Sequence, residues 1–339
     1  MQNLDWANLG FTYRDVNAHI KSVWSKGRWS TPEVVPGEPY LKIHIAATAL
    51  HYGQTAFEGL KAFRGKDGAI RIFRPDANCA RMVSSAERTE MAVVPEELFI
   101  QACKMAVEAN LDFLPPYGTG ASMYLRPLLI GTGPRMGVQP ADEFTFIVIA
   151  VPVGAYYKGG LQMVDAMIVD GYDRAAPMGT GNVKIGGNYA AGLKPYHIAK
   201  DAGFPVNLYL DAKEHRYIDE FGTSNFVGIK GDTYITPSSP SILPSVTNKA
   251  LIQLAAELGM KTERRPVEAS EIKDFDGIAA CGTAVVLNPI NRIVTAAGTE
   301  LYKSQGVVHP RFEQLYRALQ AIQYGEAPDK HGWCVSVKG

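Results

Sequence analysis

The chain has 339 residues, 46% of them hydrophobic, and its 34 Lys and Arg residues balance 34 Asp and Glu residues. A chain of this length predicts two domains, and the balanced charge argues against a nucleic-acid partner. No stretch approaches the roughly 18 consecutive apolar residues of a membrane helix, so we expect no membrane partner. We expect the ligands to be small molecules.

Cysteine spacing limits the classes of site. The four cysteines lie far apart, with no Cys-x-x-Cys spacing, which argues against a zinc site and a disulfide scaffold. The N-terminal residues lack the charged and apolar regions of a signal peptide. We therefore expect no metal and a cytoplasmic protein.

The first half of the chain predicts an α+β domain over residues 1–153. Residues 1–40 are interrupted by prolines and predict an irregular arm. The elements that follow are a strand from Lys42, a hairpin of 58–63 and 69–73, helices from Pro75 and over 95–113, and strands over 122–130 and 143–153.

Residues 154–164 are rich in glycine and tyrosine and predict a linker to a larger domain over 165–339. That domain mixes strands and helices around glycine-rich turns. Its predicted elements are strands over 163–169, 206–210 and 217–219, a helix over 189–201 with Asn188 as its N-cap, a hairpin at 231–232, a helix ending at Leu258, a strand over 277–280 and a helix over 312–324.

One lysine lies in a glycine-rich loop. Lys184 follows Gly179 and Gly181 and precedes Gly186 and Gly187, so the backbone there can turn sharply and approach a bound group. Partial burial would lower the pKa of this lysine toward the neutral amine that reacts with an aldehyde. An ordinary lysine on a connecting loop remains the alternative. The glycine spacing matches neither a dinucleotide fingerprint nor a Walker loop.

The second half also offers a carboxylate and anion-binding turns. Glu220 ends a predicted strand before a small polar turn, although a simple turn acid is an alternative. The helix that starts near Ser245 and Thr247 exposes N–H groups that suit a phosphate, unless its own side chains cap them. The turn at 281–284 offers further N–H groups, and Arg81 could add charge-assisted hydrogen bonds.

These groups together match the needs of pyridoxal phosphate. That cofactor requires an amine for its aldehyde, a carboxylate for its ring nitrogen and an anion site for its phosphate. The sequence therefore predicts pyridoxal 5′-phosphate as the cofactor.

The chain resembles the branched-chain amino acid aminotransferases, two-domain pyridoxal phosphate enzymes of fold type IV, from about Tyr40 to its end. Five ordered blocks carry the resemblance: residues 51–62 (HYGQTAFEGLKA), 123–127 (MYLRP), the loop around Lys184, 219–225 (DEFGTSN) and 282–284 (GTA). The resemblance implies a mixed α/β fold and transfer of the amino group of L-leucine, L-isoleucine or L-valine to 2-oxoglutarate.

The resemblance also assigns roles at the cofactor. Lys184 would bind the cofactor covalently and shuttle the proton of the substrate α-carbon. Tyr189 would hydrogen-bond the phenolic oxygen, and Glu220 would pair with the ring nitrogen. The phosphate would be held by Arg81, the N–H groups of Val246 and Thr247, and Thr283.

A mostly apolar substrate pocket is implied in the same way. Its matching residues are Phe57, Tyr124, Arg126, Tyr156, Thr223 and Ala284. Arg126 would accept the side-chain carboxylate of glutamate. Tyr52, Met136 and Val138 would reach the site of a partner subunit, which implies a homodimer.

Other functions remain open at this point. D-amino acid aminotransferases and aminodeoxychorismate lyases share the fold and keep the lysine and the glutamate, whereas the blocks at 51–62 and 124–126 favour the branched-chain enzymes. A protein that binds a phosphorylated metabolite without catalysis is an alternative from another class.

Overall fold

The computed structural model describes residues 4–37, 39–154 and 161–338, so Tyr156 and most of the predicted linker lie outside the described residues. The α-helices are α1 (Thr48–Tyr52), α2 (Pro75–Arg88), α3 (Glu96–Ala109), α4 (Gly186–Ala191), α5 (Leu193–Asp201), α6 (Val246–Glu257) and α7 (Pro310–Gln323). The strands are β1 (Ala18–Ser25), β2 (Arg28–Trp29), β3 (Glu33–Pro36), β4 (Thr55–Phe57), β5 (Leu60–Arg64), β6 (Ile70–Phe73), β7 (Ser122–Gly131), β8 (Phe144–Val153), β9 (Val164–Ile168), β10 (Val206–Leu210), β11 (Ile218–Phe221), β12 (Ser224–Lys230), β13 (Thr233–Pro237), β14 (Lys261–Arg265), β15 (Gly277–Gly282), β16 (Val286–Thr295), β17 (Glu300–Lys303) and β18 (Cys334–Val337).

The chain divides into two compact units. The first comprises Met1–Lys158, Val183–Gly187 and Gln320–Gly339, and the second comprises Gly159–Asn182 and Asn188–Leu319. The domain limits at 153 and 165 stay a prediction. Within the described part of the chain, no helix combines the length and the apolar character that crossing a lipid bilayer requires.

The first unit is built on a nine-stranded sheet. Its strand order is β18-β6-β5-β7-β8-β1-β2, with β3 paired to β1 and β4 paired to β7. Successive side chains of a strand point to opposite faces. Met123, Leu125 and Leu129 of β7 belong to the buried core that includes Phe99 of α3. Tyr124 and Arg126 therefore share the opposite face of the sheet.

The hairpin and the helix from Pro75 are confirmed, but two predictions for the N-terminal segment are wrong. Residues 1–40 are not irregular, because β1 pairs with β8 and places Ile20 opposite Val148. The strand predicted from Lys42 is absent. The chain instead turns at His44, whose carbonyl accepts a hydrogen bond from the N–H of Ala47.

The second unit contains another nine-stranded sheet, in the order β11-β10-β9-β16-β15-β12-β13-β14, with β17 on β16. A further pairing of β11 with β12 closes six of these strands into a ring. Aromatic residues such as Phe221, Phe226 and Phe275 fill its core. The hairpin predicted at 231–232 is confirmed as β12 and β13.

The helix after the lysine loop starts earlier than predicted. It begins at Gly186 and is split into α4 and α5, so Asn188 is not its N-cap. The Asn188 side chain instead donates a 2.7 Å hydrogen bond to the carbonyl of Thr180 and accepts one of 2.8 Å from the Thr180 hydroxyl. Asn188 thus ties the helix back to the loop before the lysine.

Candidate active site

Lys184 is held by backbone contacts within the first unit. Its N–H donates a 2.8 Å hydrogen bond to Ser85 Oγ, and its carbonyl accepts one of 3.1 Å from the N–H of Phe57. Its half-buried side chain places Nζ 4.8 Å from the centre of the Phe57 ring. Since Ser85 lies on α2 and Phe57 on β4, the lysine is fixed on regular structure although it lies in a loop.

The glycines around Lys184 differ in how much space other atoms leave for a side chain. A Cβ at Gly186 would lie 2.7 Å from Thr55 Oγ1, and one at Gly181 would lie 2.1 Å from the carbonyl oxygen of Ser241. A Cβ at Gly187 would meet no atom of the described residues within 4 Å. Close packing therefore requires glycine at the first two positions but not at Gly187.

The predicted substrate residues Phe57, Tyr124 and Arg126 lie on one face of the first sheet. The Arg126 guanidinium lies 4.9 Å from the centre of the Phe57 ring and donates a 3.1 Å hydrogen bond to the Tyr124 hydroxyl. A Cβ at Gly59 would overlap that hydroxyl at 2.0 Å. The buried Arg126 Nε has no hydrogen-bond partner among the residues that the structure describes. Arg126 is therefore suited to bind an added carboxylate.

Two residues of this face were missed from the sequence. Lys61 of β5 is directly opposite Tyr124 of β7, so both side chains share the face. Burial lowers the pKa of Lys61 to about 8. Phe11, from the segment expected to be an irregular arm, packs edge-on against Tyr124 with ring centres 4.7 Å apart. The register of β5 and β7, which the sequence did not give, is what brings Lys61 here.

Arg81 occupies a buried ion pair. Its Nε and Nη2 each donate a 2.7 Å hydrogen bond to a carboxylate oxygen of Glu58, which is fully buried. Asn78 Nδ2 adds a 2.7 Å hydrogen bond to the same carboxylate. Glu58 lies within the block at 51–62 but was not assigned a role, and it fixes the side chain predicted to bind phosphate.

Glu220 lies inside β11 of the second unit, one residue before the strand ends. Its Oε1 accepts 2.8 Å and 2.6 Å hydrogen bonds from the N–H of Leu243 and Arg174 Nη2, and its Oε2 accepts one of 2.8 Å from Asn225 Nδ2. Burial raises the pKa of the Glu220 carboxyl, whereas Arg174 and the two other donors oppose that rise. This is a buried carboxylate held by several donors, not an exposed turn acid.

The geometry leaves Glu220 able to accept one more proton donor. A carboxylate oxygen has two lone pairs, and the donors above occupy three of the four positions. Among the described residues no second donor reaches Oε2, so this oxygen can accept from a protonated ring nitrogen. The donor set therefore fits pyridoxal phosphate.

The start of α6 presents backbone donors in the second unit. Ser245 is its N-cap and accepts a 3.1 Å hydrogen bond from the N–H of Asn248. A side chain of the helix start therefore caps one of the exposed N–H groups, that of Asn248, as the capping alternative predicted. The N–H groups of Val246 and Thr247 have no hydrogen-bond acceptor among the described residues, and they suit an anion.

Strand pairing brings the predicted turns of this unit together. Glu220 on β11 is opposite Asn225 on β12, and Asn225 is opposite Cys281 on β15. Thr223 lies in the turn between β11 and β12, and Thr283 and Ala284 lie in the turn between β15 and β16. Both turns are at the same end of the strands, and a Cβ at Gly282 would lie 3.9 Å from the carbonyl oxygen of Thr223.

The other predicted residues are placed as follows. Tyr189 lies in α4, five residues after Lys184, and Tyr156 is not described. Met136 and Val138 are exposed, and the Tyr52 hydroxyl donates a hydrogen bond to the carbonyl of Met136. This exposed group belongs to the first unit.

The chain was compared with known proteins. Residues 55–293 match the family model for class IV aminotransferases. The chain is 47% identical to a branched-chain-amino-acid aminotransferase of Haemophilus influenzae over all of both chains, and 45% identical to one of Helicobacter pylori over 99% of both. A solved branched-chain amino acid aminotransferase of Escherichia coli superposes with a TM-score of 0.81 at 27% identity, covering 96% of this chain and 100% of that one. The resemblance inferred from the five blocks is confirmed, and the chain belongs to the class IV aminotransferases.

Proposed function

We propose that the protein is a pyridoxal phosphate-dependent branched-chain-amino-acid transaminase. It moves the amino group of L-leucine, L-isoleucine or L-valine to 2-oxoglutarate, giving L-glutamate and the branched-chain 2-oxo acid, and it catalyses the reverse reaction. The observation that carries this conclusion is the 47% identity over the full length of a branched-chain aminotransferase. That likeness does not favour a D-amino acid aminotransferase, an aminodeoxychorismate lyase or a non-catalytic binding protein.

The cofactor, when bound, supplies an aldehyde that captures an amine and a ring that accepts electrons from the bond being broken. Lys184 is the proposed catalytic residue, because its Nζ can form the covalent link and then move the proton of the substrate α-carbon. The hydrogen bonds from Phe57 and to Ser85 hold its backbone still while the side chain moves. Tyr189 is proposed to bind the phenolic oxygen, and Glu220 the ring nitrogen.

The phosphate is proposed to bind to backbone donors and one arginine. Val246 and Thr247 offer N–H groups at the positive end of the α6 dipole. Thr283 lies in the neighbouring turn, and Arg81, whose Nε and Nη2 hold Glu58, is the proposed arginine. These contacts would position the cofactor without taking part in the chemistry.

The substrate side chain is proposed to bind against Phe57, Tyr124, Thr223 and Ala284, with Tyr156 added from outside the described residues. Burying one aliphatic side chain contributes roughly 1.5–3 kcal/mol, which favours leucine over a small amino acid. Arg126 serves the second carboxylate of glutamate. The enzyme would thus accept both substrates in turn.

We also propose a cytoplasmic homodimer. The exposed side chains of Tyr52, Met136 and Val138 would cover part of the partner's site. The four cysteines are free thiols, as is usual in a reducing compartment.

The visible spectrum of the purified holoenzyme tests this function. We expect a cofactor band that L-leucine depletes and 2-oxoglutarate restores. A band that responds only to a D-amino acid would contradict the branched-chain assignment, and a protein that binds no pyridoxal phosphate would contradict all of it.

Lys184→Ala is the matching variant, and Lys200→Ala, which removes an exposed lysine of α5, is its control. We expect the first to abolish transamination and the band change while the protein stays folded, and the second to behave as wild type. Near-normal turnover in Lys184→Ala would refute the role of Lys184.

A further inference from the structure

Arg174 makes a set of contacts that no role assigned above explains. In the sequence it lies between β9 and the glycines that precede Lys184. It belongs to the second unit, and its side chain is only 10% exposed. Its Nη2 donates to Glu220 Oε1 at 2.6 Å and to the carbonyl of Gly181 at 3.0 Å. Its Nη1 donates to the carbonyl of Ser241 at 3.0 Å. One guanidinium therefore connects the buried carboxylate with two segments of backbone.

The position of this charge matters because Glu220 is nearly fully buried. An isolated buried carboxyl prefers its neutral form, and here burial raises the Glu220 pKa. The guanidinium at 2.6 Å acts against that rise, as do the donors Leu243 and Asn225. Without Arg174, the most stable state of Glu220 beside a ring nitrogen is a neutral carboxyl that keeps its proton and donates a hydrogen bond to the unprotonated nitrogen.

Other ionisable groups lie around this pair. Asp219 precedes Glu220 on β11 and raises the Glu220 pKa, while Cys281 lies two strands away in register and has its own pKa raised by burial. Tyr209 of β10 has a raised pKa that Arg174 partly counteracts. Arg174 is the cation among these neighbours of Glu220, so its removal changes the balance toward the neutral carboxyl.

We propose that Arg174 is a positioning residue that keeps Glu220 ionised and oriented, so that the proton shared with the cofactor resides on the ring nitrogen. The inference rests on the proposed function, because it assumes that Glu220 faces that nitrogen. The contact with the carbonyl of Gly181 also joins Glu220, through Arg174, to the segment of the second unit that ends at Asn182.

The test uses pyridoxal phosphate labelled with ¹⁵N at its ring, bound to wild type, Arg174→Met and Arg174→Lys. The nitrogen chemical shift distinguishes a protonated from a neutral ring. We expect a protonated nitrogen at neutral pH in wild type and in Arg174→Lys, which keeps the cation, and a shift toward the neutral value in Arg174→Met. The rate of the half-reaction with L-leucine should fall at least about tenfold in Arg174→Met. This factor corresponds to a change of about one unit in the pKa difference between the Glu220 carboxyl and the ring nitrogen.

Two controls separate this role from a structural one. Arg292→Met removes an ion pair with Asp165 in the same unit and should leave the nitrogen shift unchanged. In a Glu220→Gln background the nitrogen should be neutral already, so adding Arg174→Met should change nothing further. Thermal unfolding of the apoprotein reports any loss of fold.

The outcomes are distinct. A nitrogen that stays protonated in Arg174→Met, or that is neutral in wild type, would overturn the inference and leave the transaminase assignment intact. Equal loss of the protonated signal in Arg174→Lys and Arg174→Met would also overturn it, because the cation would then have no specific effect. If wild type binds no labelled cofactor, the proposed function itself has failed.

Discussion

Arg126 is the single residue on which we propose that substrate choice depends most directly. It contacts Phe57 and Tyr124 through the face of its guanidinium and leaves Nε without a partner among the described residues. A charge-assisted hydrogen bond contributes about 1.5–3 kcal/mol, or roughly 10- to 150-fold in binding. We expect Arg126→Ala to lower kcat/KM for L-glutamate by that factor more than for L-leucine, because leucine has no second carboxylate. Arg28→Ala, an exposed arginine of β2, is the control; equal losses for both substrates would contradict the role of Arg126.

Substrate choice is expected to depend on pH through the charge on Lys61. Because burial lowers its pKa to about 8, Lys61 is charged below that pH and neutral above it. We propose that protonated Lys61 attracts the side-chain carboxylate of glutamate from the face that it shares with Tyr124. We therefore expect the ratio of kcat/KM for glutamate to that for leucine to fall roughly tenfold between pH 7 and pH 9, since neutral Lys61 would make a weaker contact with that carboxylate. The α-amino group titrates in both substrates and cancels in the ratio. Lys61→Met should make the ratio independent of pH, and an unchanged pH dependence in that variant would exclude Lys61 as the cause.

Single strands, turns and loops could be predicted from the sequence, but which strands pair with each other could not. The apolar runs of β7 and β8 and the turn residues of the β5–β6 hairpin are contiguous in sequence. The same holds for Lys184 between its glycines and for Glu220 before its polar turn. By contrast, β18 joins the sheet through β6, far away in the chain. Arg174, Glu58 and Lys61 gain their importance from such remote partners, which periodicity and spacing do not encode.

The loop before Lys184 leaves no room for a side chain at Gly181. A Cβ at Gly181 would overlap the carbonyl oxygen of Ser241 at 2.1 Å and the Cβ of Ala175 at 2.8 Å. Backbone at this distance must move, at a cost of about 1–3 kcal/mol. We expect Gly181→Ala to lower the midpoint of thermal unfolding and to weaken retention of pyridoxal phosphate.

Gly187→Ala is the matched control, and its expected effect on stability has the opposite sign. Gly187 lies within α4, where a Cβ would meet no atom within 4 Å in the part of the chain that the structure describes, and alanine is favoured over glycine in a helix by roughly 0.5–1 kcal/mol. This variant should be as stable as wild type or slightly more so. A stable Gly181→Ala with normal cofactor retention would show that the contact with Ser241 is not needed.

Several apolar side chains of the first unit are exposed to solvent. Ile45, Leu50, Met136 and Val138 are at least 60% exposed, and Tyr52 is anchored to the same loop by its hydrogen bond to Met136. Monomeric proteins rarely leave contiguous apolar patches uncovered, so this group supports the homodimer that the sequence predicted. Of this group the sequence could name only Tyr52, Met136 and Val138, and only by resemblance, because burial against the proposed second copy would produce no periodic pattern.

Sedimentation over a range of concentrations tests the dimer. We expect wild type, whose chain mass is 36.9 kDa, to sediment at about twice that mass. The double substitution Met136→Asp and Val138→Asp should yield monomers, because two carboxylates buried in an interface would each require a partner. It should also lose transaminase activity if these residues reach the partner's site. Val307→Asp places a charge on an exposed side chain of the second unit and should leave the dimer intact. A wild-type protein that stays monomeric, or a double variant that stays dimeric, would show that this surface is not the interface.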